Sequence, residues 1–352
     1  MKLSSLLSRF RKGRSDAGRD AAREIHATRD AVPAKDERAA EAEAAESKSV
    51  EARPEEKGEN GNGGMMTEGI PETGSFETVN GEGLAVEASV QTDVGRVREI
   101  NEDSGRFSRP NDPATLASKG VLLIVADGMG GHSAGEVASG MTVELVPRLY
   151  YGSGSPAPEA LREAVEETNR QIHAASLADE SKRGMGTTCT ALAVVGEEAF
   201  AAHVGDSRLY MMREGKVYLL TEDHSAVMEM VKLGLITMDE ARHHEDKNVI
   251  LRALGTAPEV EVSTLEPFRV RAGDKYLHCS DGLYDLVTDE EIERELSPAE
   301  DIHAAGERLI VMAKGRGGHD NITVGILEMV SASDTDAPRA GNGAGETREW
   351  RV

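Results

Sequence analysis

The stretch V121-L-L-I-V-A-D-G-M-G-G-H-S-A-G135 decides how the chain is read: an apolar run without a polar break stops at an acid followed by a glycine cluster. An apolar run that does not alternate reads as a strand buried on both faces, which places it inside a layered structure. Asp127-Gly128 at its end reads as a turn, so the Asp127 carboxylate sits at a strand mouth. Gly128, Gly130 and Gly131 allow the backbone to approach something closely. Taken alone, this segment is either a plain turn or a carboxylate ligand.

Outward from it, 352 residues with 39% hydrophobic content support one sizeable core, and neither end of the chain looks like core. Residues 1–83 are rich in Ala, Glu, Gly, Ser and Lys and poor in aromatics, as in A39-A-E-A-E-A-A-E-S-K-S. Such a composition does not bury enough apolar surface to offset its ordering entropy, so a disordered tail is expected there. Its basic start, with Lys2, Arg9, Arg11, Lys12 and Arg14, reads as solvated tail or as a weak docking patch. Residues 331–352 read as a second tail, leaving 84–330 as the folded domain.

Within that domain V86-E-A-S-V-Q-T alternates like a half-buried strand, and a polar loop leads to Val121. Two helices follow, with Val137, Met141, Leu145 and Leu149 on the inner face of the first and Leu161, Val165, Thr168 and Ile172 on that of the second. The segments 186–195, 199–204, 208–212 and 216–220 read as a strand meander. A polar, helix-prone insert occupies Ser225 to Asn248, and strands resume at V260-E-V-S-T and D274-K-Y-L-H-C. Thr288 with Glu291, and Ser297-Pro298 with Glu300, are capping boxes that open two helices, and I322-T-V-G-I-L is the closing strand. Strands in runs and helices in pairs predict an α+β layered sandwich.

The net charge of -23 argues against a nucleic-acid groove and is compatible with bound cations. Cys189 and Cys279 lie in separate apolar segments, which excludes a disulfide framework and fits a reducing compartment. With no apolar stretch near the ~20 residues of a membrane helix and no cleavable leader, a cytoplasmic protein is expected.

Asp127 is one of several acids at strand ends. Asp281 follows Y276-L-H-C-S, Asp320 precedes the last strand, Asp206 follows A-A-H-V-G, and Glu102-Asp103 come after the first strand. One such acid is usually a turn or a cap; this many in one domain point to hard oxygen ligands for Mg²⁺ or Mn²⁺, because like charges at strand mouths repel unless cations neutralise them.

The motifs T92-D-V-G-R-V-R-E-I-N-E-D103, V125-A-D-G-M-G-G131, M185-G-T-T188, V204-G-D-S-R208, S280-D-G-L-Y-D285 and D320-N321 together resemble the metal-dependent Ser/Thr protein phosphatases of type 2C, the PPM family, over about Val86 to Met329. The resemblance implies a four-layer αββα sandwich with a binuclear metal centre at one end. It implies that Asp127 bridges two ions, that the Gly128 carbonyl holds one of them through water, that Asp281 and Asp320 complete one site, and that Glu102 serves the other with Asp103 in support. It also implies that Asp206 and Asp281 share a third, looser ion. Hydrolysis of phosphoserine or phosphothreonine by an activated water needs no phosphoenzyme, and cations are required where charge gathers on phosphorus.

Arg98 reads as a fork for phosphate oxygens or as a surface ion pair. Where animal members typically carry a histidine, this chain has Met129, which cannot donate a proton; His132 or a water is then left as acid. The insert Ser225 to Asn248 resembles the flap of bacterial members, the expected seat of substrate choice. Expected partners are phosphorylated proteins and an opposing cytoplasmic Ser/Thr kinase. The alternatives are a phosphoprotein-binding scaffold without turnover, which loss of a metal acid would favour, and a phosphatase of a sigma-factor switch.

Overall fold

The computed structural model describes residues 72–76, 83–130, 134–297 and 301–331. His132, most of the expected N-terminal tail and all but the first residue of the C-terminal one lie outside them.

Two six-stranded sheets form the centre. The first runs β1 (Glu72–Phe76), β2 (Leu84–Asp93), β12 (Ile322–Ser331), β11 (Lys275–Cys279), β8 (Arg208–Arg213) and β9 (Lys216–Leu219). The second runs β10 (Ser263–Arg269), β7 (Glu198–Val204), β6 (Cys189–Val195), β4 (Val121–Met129) and β3 (Asp103–Ser108), with β5 (Gly186–Thr187) paired to the end of β4. Strand pairing is antiparallel throughout.

The unbroken apolar run of β4 follows from its position. Leu122, Ile124 and Ala126 pack towards α2 (Ala134–Gly152) and α3 (Ala157–Ala178), while Val121 and Leu123 pack between the sheets against Val86, Leu192, Leu209 and Tyr276. On the far side, Leu277, Cys279, Val324 and Ile326 pack against α7 (Asp289–Leu296) and α8 (Ile302–Gly315). Three apolar seams between four layers are the αββα sandwich, and each fully buried Leu or Ile contributes roughly 1.5–3 kcal/mol to it. The remaining helices are short: α1 (Pro113–Lys119), α4 (Ala226–Lys232), α5 (Met238–Arg242) and α6 (Asp281–Tyr284).

Several local expectations are corrected. The loop before Val121 holds β3 and α1, whose polar, partly exposed residues give little periodic signal. β2 is buried on both faces, because Ser89 and Gln91, polar as they are, meet His303 of α8 through hydrogen bonds. In α2 the deepest row is Ala138, Thr142 and Val146, with Val137, Met141 and Leu149 at its margin, since small side chains let the helix lie close on the sheet. The meander is in fact two hairpins: β6 pairs with β7 in one sheet and β8 with β9 in the other. The strand expected at Val260 begins at Ser263. Ser297 ends α7, and α8 is opened instead by Asp301, whose side chain accepts from the His303 and Ala304 amides. Glu72–Phe76, inside the segment expected to be disordered, pairs with β2 as an edge strand.

Candidate active site

Register and crossings bring the acids together. Asp103 on β3 lies directly opposite Asp127 on β4, so Asp127 is within a strand that continues to Met129 and not in a turn after it. β11 and β12 are neighbours, and Asp281, which opens α6, and Asp320, just before β12, leave them at the same edge. The chain passes from one sheet to the other at Gly205-Asp206-Ser207, which puts Asp206 at that end as well.

Polar contacts hold this arrangement. The Asp127 amide donates to Thr188 Oγ1 (2.8 Å), and Thr188 Oγ1 meets Ser207 Oγ at 2.7 Å, joining β4 to the crossing that carries Asp206. The Asp127 carbonyl accepts from the Thr187 hydroxyl at 2.9 Å. Ser280 Oγ donates to Asp103 Oδ2 (2.7 Å) and accepts from the Thr323 amide (3.0 Å), tying the two sheets. Asn321 is a hub: its Oδ1 accepts from the Glu102 amide (2.8 Å) and its Nδ2 donates to the carbonyls of Val94 (3.1 Å) and Ile100 (3.0 Å).

Two close approaches explain the glycines. A Cβ on Gly128 would fall 2.3 Å from the Gly135 carbonyl oxygen and 2.4 Å from that of Glu102, so the end of β4 meets the start of α2 only through glycine. Gly95, at φ 79°, faces the Asp320 carbonyl in the same way and seats the loop bearing Arg98 on the Asp320 segment. Arg98 Nη2 donates to Asp320 Oδ2 at 2.8 Å with its side chain about half exposed. Its ion-pair partner is thus one of the candidate metal acids.

The electrostatics separate these acids from ordinary caps. Burial, then repulsion from Asp103, Asp281, Asp206 and Asp320, holds Asp127 well above the usual carboxylate range. Burial, then Asp206, Asp320, Asp285 and Asp103, does the same to Asp281. Burial pushes Asp103 up to about 6 against its bonds from Ser280 and Thr323. Asp206 is pushed up to about 7 by burial and then by Asp223. Glu102 is raised by burial, offset by the Gly135 amide in the first turn of α2. Among the described residues no three acid, His or Cys side chains close on a common point as they stand. The donor set is hard oxygen, short of positive charge, and therefore fits divalent cations such as Mg²⁺ or Mn²⁺.

Ser280, Thr188 and Ser207 stood inside the quoted motifs without a role, as did Asn321. Their only signal in the sequence is a polar residue inside or beside an apolar strand, which does not say what it bonds. Met129 lies in register with Gly186 at the β4–β5 pair. Cys189 and Cys279 are buried, separate thiols, raised by burial. No described helix is long and apolar enough to cross a membrane.

A two-sheet sandwich that gathers carboxylates from both sheets at one end offers hard oxygen ligands, and divalent cations on such ligands can activate water. The family Protein phosphatase 2C matches residues 101–314. The chain is 39% identical over 249 residues to serine/threonine phosphatase stp of Listeria welshimeri, an alignment covering 68% of this chain and 95% of that protein. It is 39% identical over 248 residues to serine/threonine protein phosphatase PstP of Mycobacterium tuberculosis, covering 70% of this chain and 46% of that one. The crystal structure of the M. tuberculosis phosphatase PstP/Ppp superposes with a TM-score of 0.62 at 37% identity, covering 70% of this chain and 99% of that chain. The catalytic domain of PstP in complex with two manganese ions superposes at 0.61 with 38% identity, again over 70% and 99%. The chain belongs to the protein phosphatase 2C family. It is a serine/threonine protein phosphatase, metal-dependent dephosphorylation of proteins being that family's general function.

Proposed function

We propose that this chain removes phosphate from phosphoserine and phosphothreonine with two divalent ions, manganese or magnesium, held by Glu102, Asp127, Asp281, Asp320 and the Gly128 carbonyl, with Asp103 behind them. A third, weaker ion belongs between Asp206 and Asp281. The observation that carries this reading is the crowd of buried carboxylates that raise one another's pKa with too little positive charge among them. The manganese-bound PstP domain lends it support. Such ions, when bound, make water nucleophilic at neutral pH and offset charge on the phosphoryl oxygens.

The chain's own groups then divide the remaining work. Arg98, already beside Asp320 and half exposed, swings its fork to the phosphate and orients it. Asp103, anchored by Ser280, keeps the Asp127 strand in place. Asn321 fixes Glu102 and Asp320 relative to each other. The substrates are phosphoproteins made by an opposing kinase in the cytoplasm, and the catalytic unit is 84–330 with β1 as an added edge.

The test is turnover of p-nitrophenyl phosphate and of a phosphopeptide with Mn²⁺ and with excess chelator; undiminished activity in chelator sinks the metal assignment. Calorimetric Mn²⁺ titration of Asp206→Ala, read beside turnover, tests the third ion: the weak ion should go, the tight pair should stay, and turnover should fall by about tenfold. Loss of all ions would make Asp206 a core ligand, and unchanged turnover would make it a turn cap.

A further inference from the structure

The loop that carries Arg98, residues 94–100, leads from β2 to the acids at Glu102 and Asp103, and its main chain is clamped. Asn321 Nδ2 donates to the carbonyls at its two ends, Val94 (3.1 Å) and Ile100 (3.0 Å). The Arg96 amide donates to the Gly318 carbonyl at 2.7 Å. The Gly95 amide donates to Asp93 Oδ1 at 2.8 Å, and the other oxygen of Asp93 accepts from Lys314 Nζ at 2.6 Å. Beneath Gly95 lies the Asp320 carbonyl, which leaves no room for a side chain there.

This fixed loop holds two large apolar side chains in water: Val97 is 66% exposed and Ile100 42%. Neither belongs to an apolar seam of the sandwich. Single exposed apolar residues are ordinary on any surface. This pair differs in standing on either side of Arg98, one position before it and two after, on backbone that is bonded at both ends. Arg96 and Glu99, exposed beside them, offset each other's charge. Asp320 and Glu102, close enough to act on Arg98, repel any further acid brought to the loop. The surface around the Arg98 fork therefore favours an apolar neighbour and disfavours an acidic one.

We propose that Val97 and Ile100 form an apolar shelf that selects phosphoproteins with an aliphatic side chain within about two residues of the phosphoserine or phosphothreonine. This rests on the assignment of Arg98 to the phosphate. With the phosphate on the Arg98 fork the phosphoresidue is fixed, and an extended peptide advances only about 3.3–3.6 Å per residue, so its nearest neighbours pass over this loop. Covering Val97 and Ile100 removes apolar surface of both partners from water. Both are β-branched and already stiff, so little rotamer freedom is lost when a peptide settles on them.

Turnover of three phosphothreonine peptides by the full chain with Mn²⁺ tests this, the peptides being alike except for leucine, serine or glutamate on either side of the phosphoresidue. The parent's kcat/KM should be about tenfold higher with leucine than with serine, chiefly through KM, and lowest with glutamate. In the double variant Val97→Ser, Ile100→Ser the leucine-to-serine ratio should fall to about one, whereas Val97→Leu, Ile100→Leu, which keeps the apolar surface, should hold it near the parent's. The ratio compares two substrates on one preparation, so a loss of folded enzyme does not move it. A parent without leucine preference, or a serine double variant that keeps it, overturns the shelf. A dimer in sedimentation that only the parent forms would assign the pair to a second copy of the chain and overturn it too. Arg98→Ala should lower all three peptides alike; kinetics equal to the parent's with all three would sink the phosphate assignment, and the shelf with it.

Discussion

β11 has an aspartate just beyond each end, and the fold treats the two in opposite ways. Asp274, just before the strand, is enclosed by the Arg213 fork at 2.8 and 2.6 Å and by the Arg271 amide at 2.7 Å. Asp281, just after it, faces Asp206, Asp320, Asp285 and Asp103. The residue type and the strand match; Asp274 is fully buried and Asp281 partly exposed, and their partners differ. Under the proposed function, the acid that serves stability carries its counter-ion in the chain, whereas the one assigned to the metal site is left for a cation from outside, at the cost of the repulsion around it.

That contrast is open to direct attack. Asp281→Asn should lower turnover by about three orders of magnitude, since several kcal/mol of charge stabilisation are lost, and should leave the unfolding midpoint in chelator unchanged or higher. A midpoint that collapses would make Asp281 structural after all. Arg213→Ala inverts the pattern: leaving Asp274 buried and unpaired should cost about 3–5 kcal/mol in urea denaturation while kcat per folded molecule is retained. Loss of kcat in a folded Arg213→Ala protein would erase the division between the two ends.

Arg98→Ala should lower kcat/KM for a phosphopeptide by about tenfold to a hundredfold, chiefly through KM, with Mn²⁺ binding intact. Kinetics equal to the parent's would return Arg98 to a surface ion pair with Asp320.

The uncompensated acids also give a pH dependence in chelator. Asp103 and Asp206 stand at about 6 and about 7 when folded, against roughly 4 when unfolded. The folded state keeps those protons longer, so the stabilisation is complete below about pH 4 and is lost as pH rises through 6 and 7. The denaturation midpoint in chelator should fall across that window, and saturating Mn²⁺ should abolish the fall. A midpoint that rises instead would mean the acids are compensated within the chain, as Asp274 is.

Much of this was legible from residue types alone. An apolar run without alternation required a strand covered on both sides, and Leu122 and Leu123 do point into different seams. Glycine beside acid marked the places where backbone had to approach backbone, as at Gly128. Those features are local: hydrophobicity and the absence of a Cβ act whatever the rest of the chain does. Only the tertiary structure decided that Asp103 and Asp127 stand opposite each other, and that the segment around Asp206 crosses between sheets instead of continuing a meander. It alone shows Ser280 reaching Asp103 across 177 positions and Lys247 reaching Asp285 across 38. Register and layer crossings depend on which distant strand supplies the partner, and a single strand's pattern of burial is the same whichever partner that is.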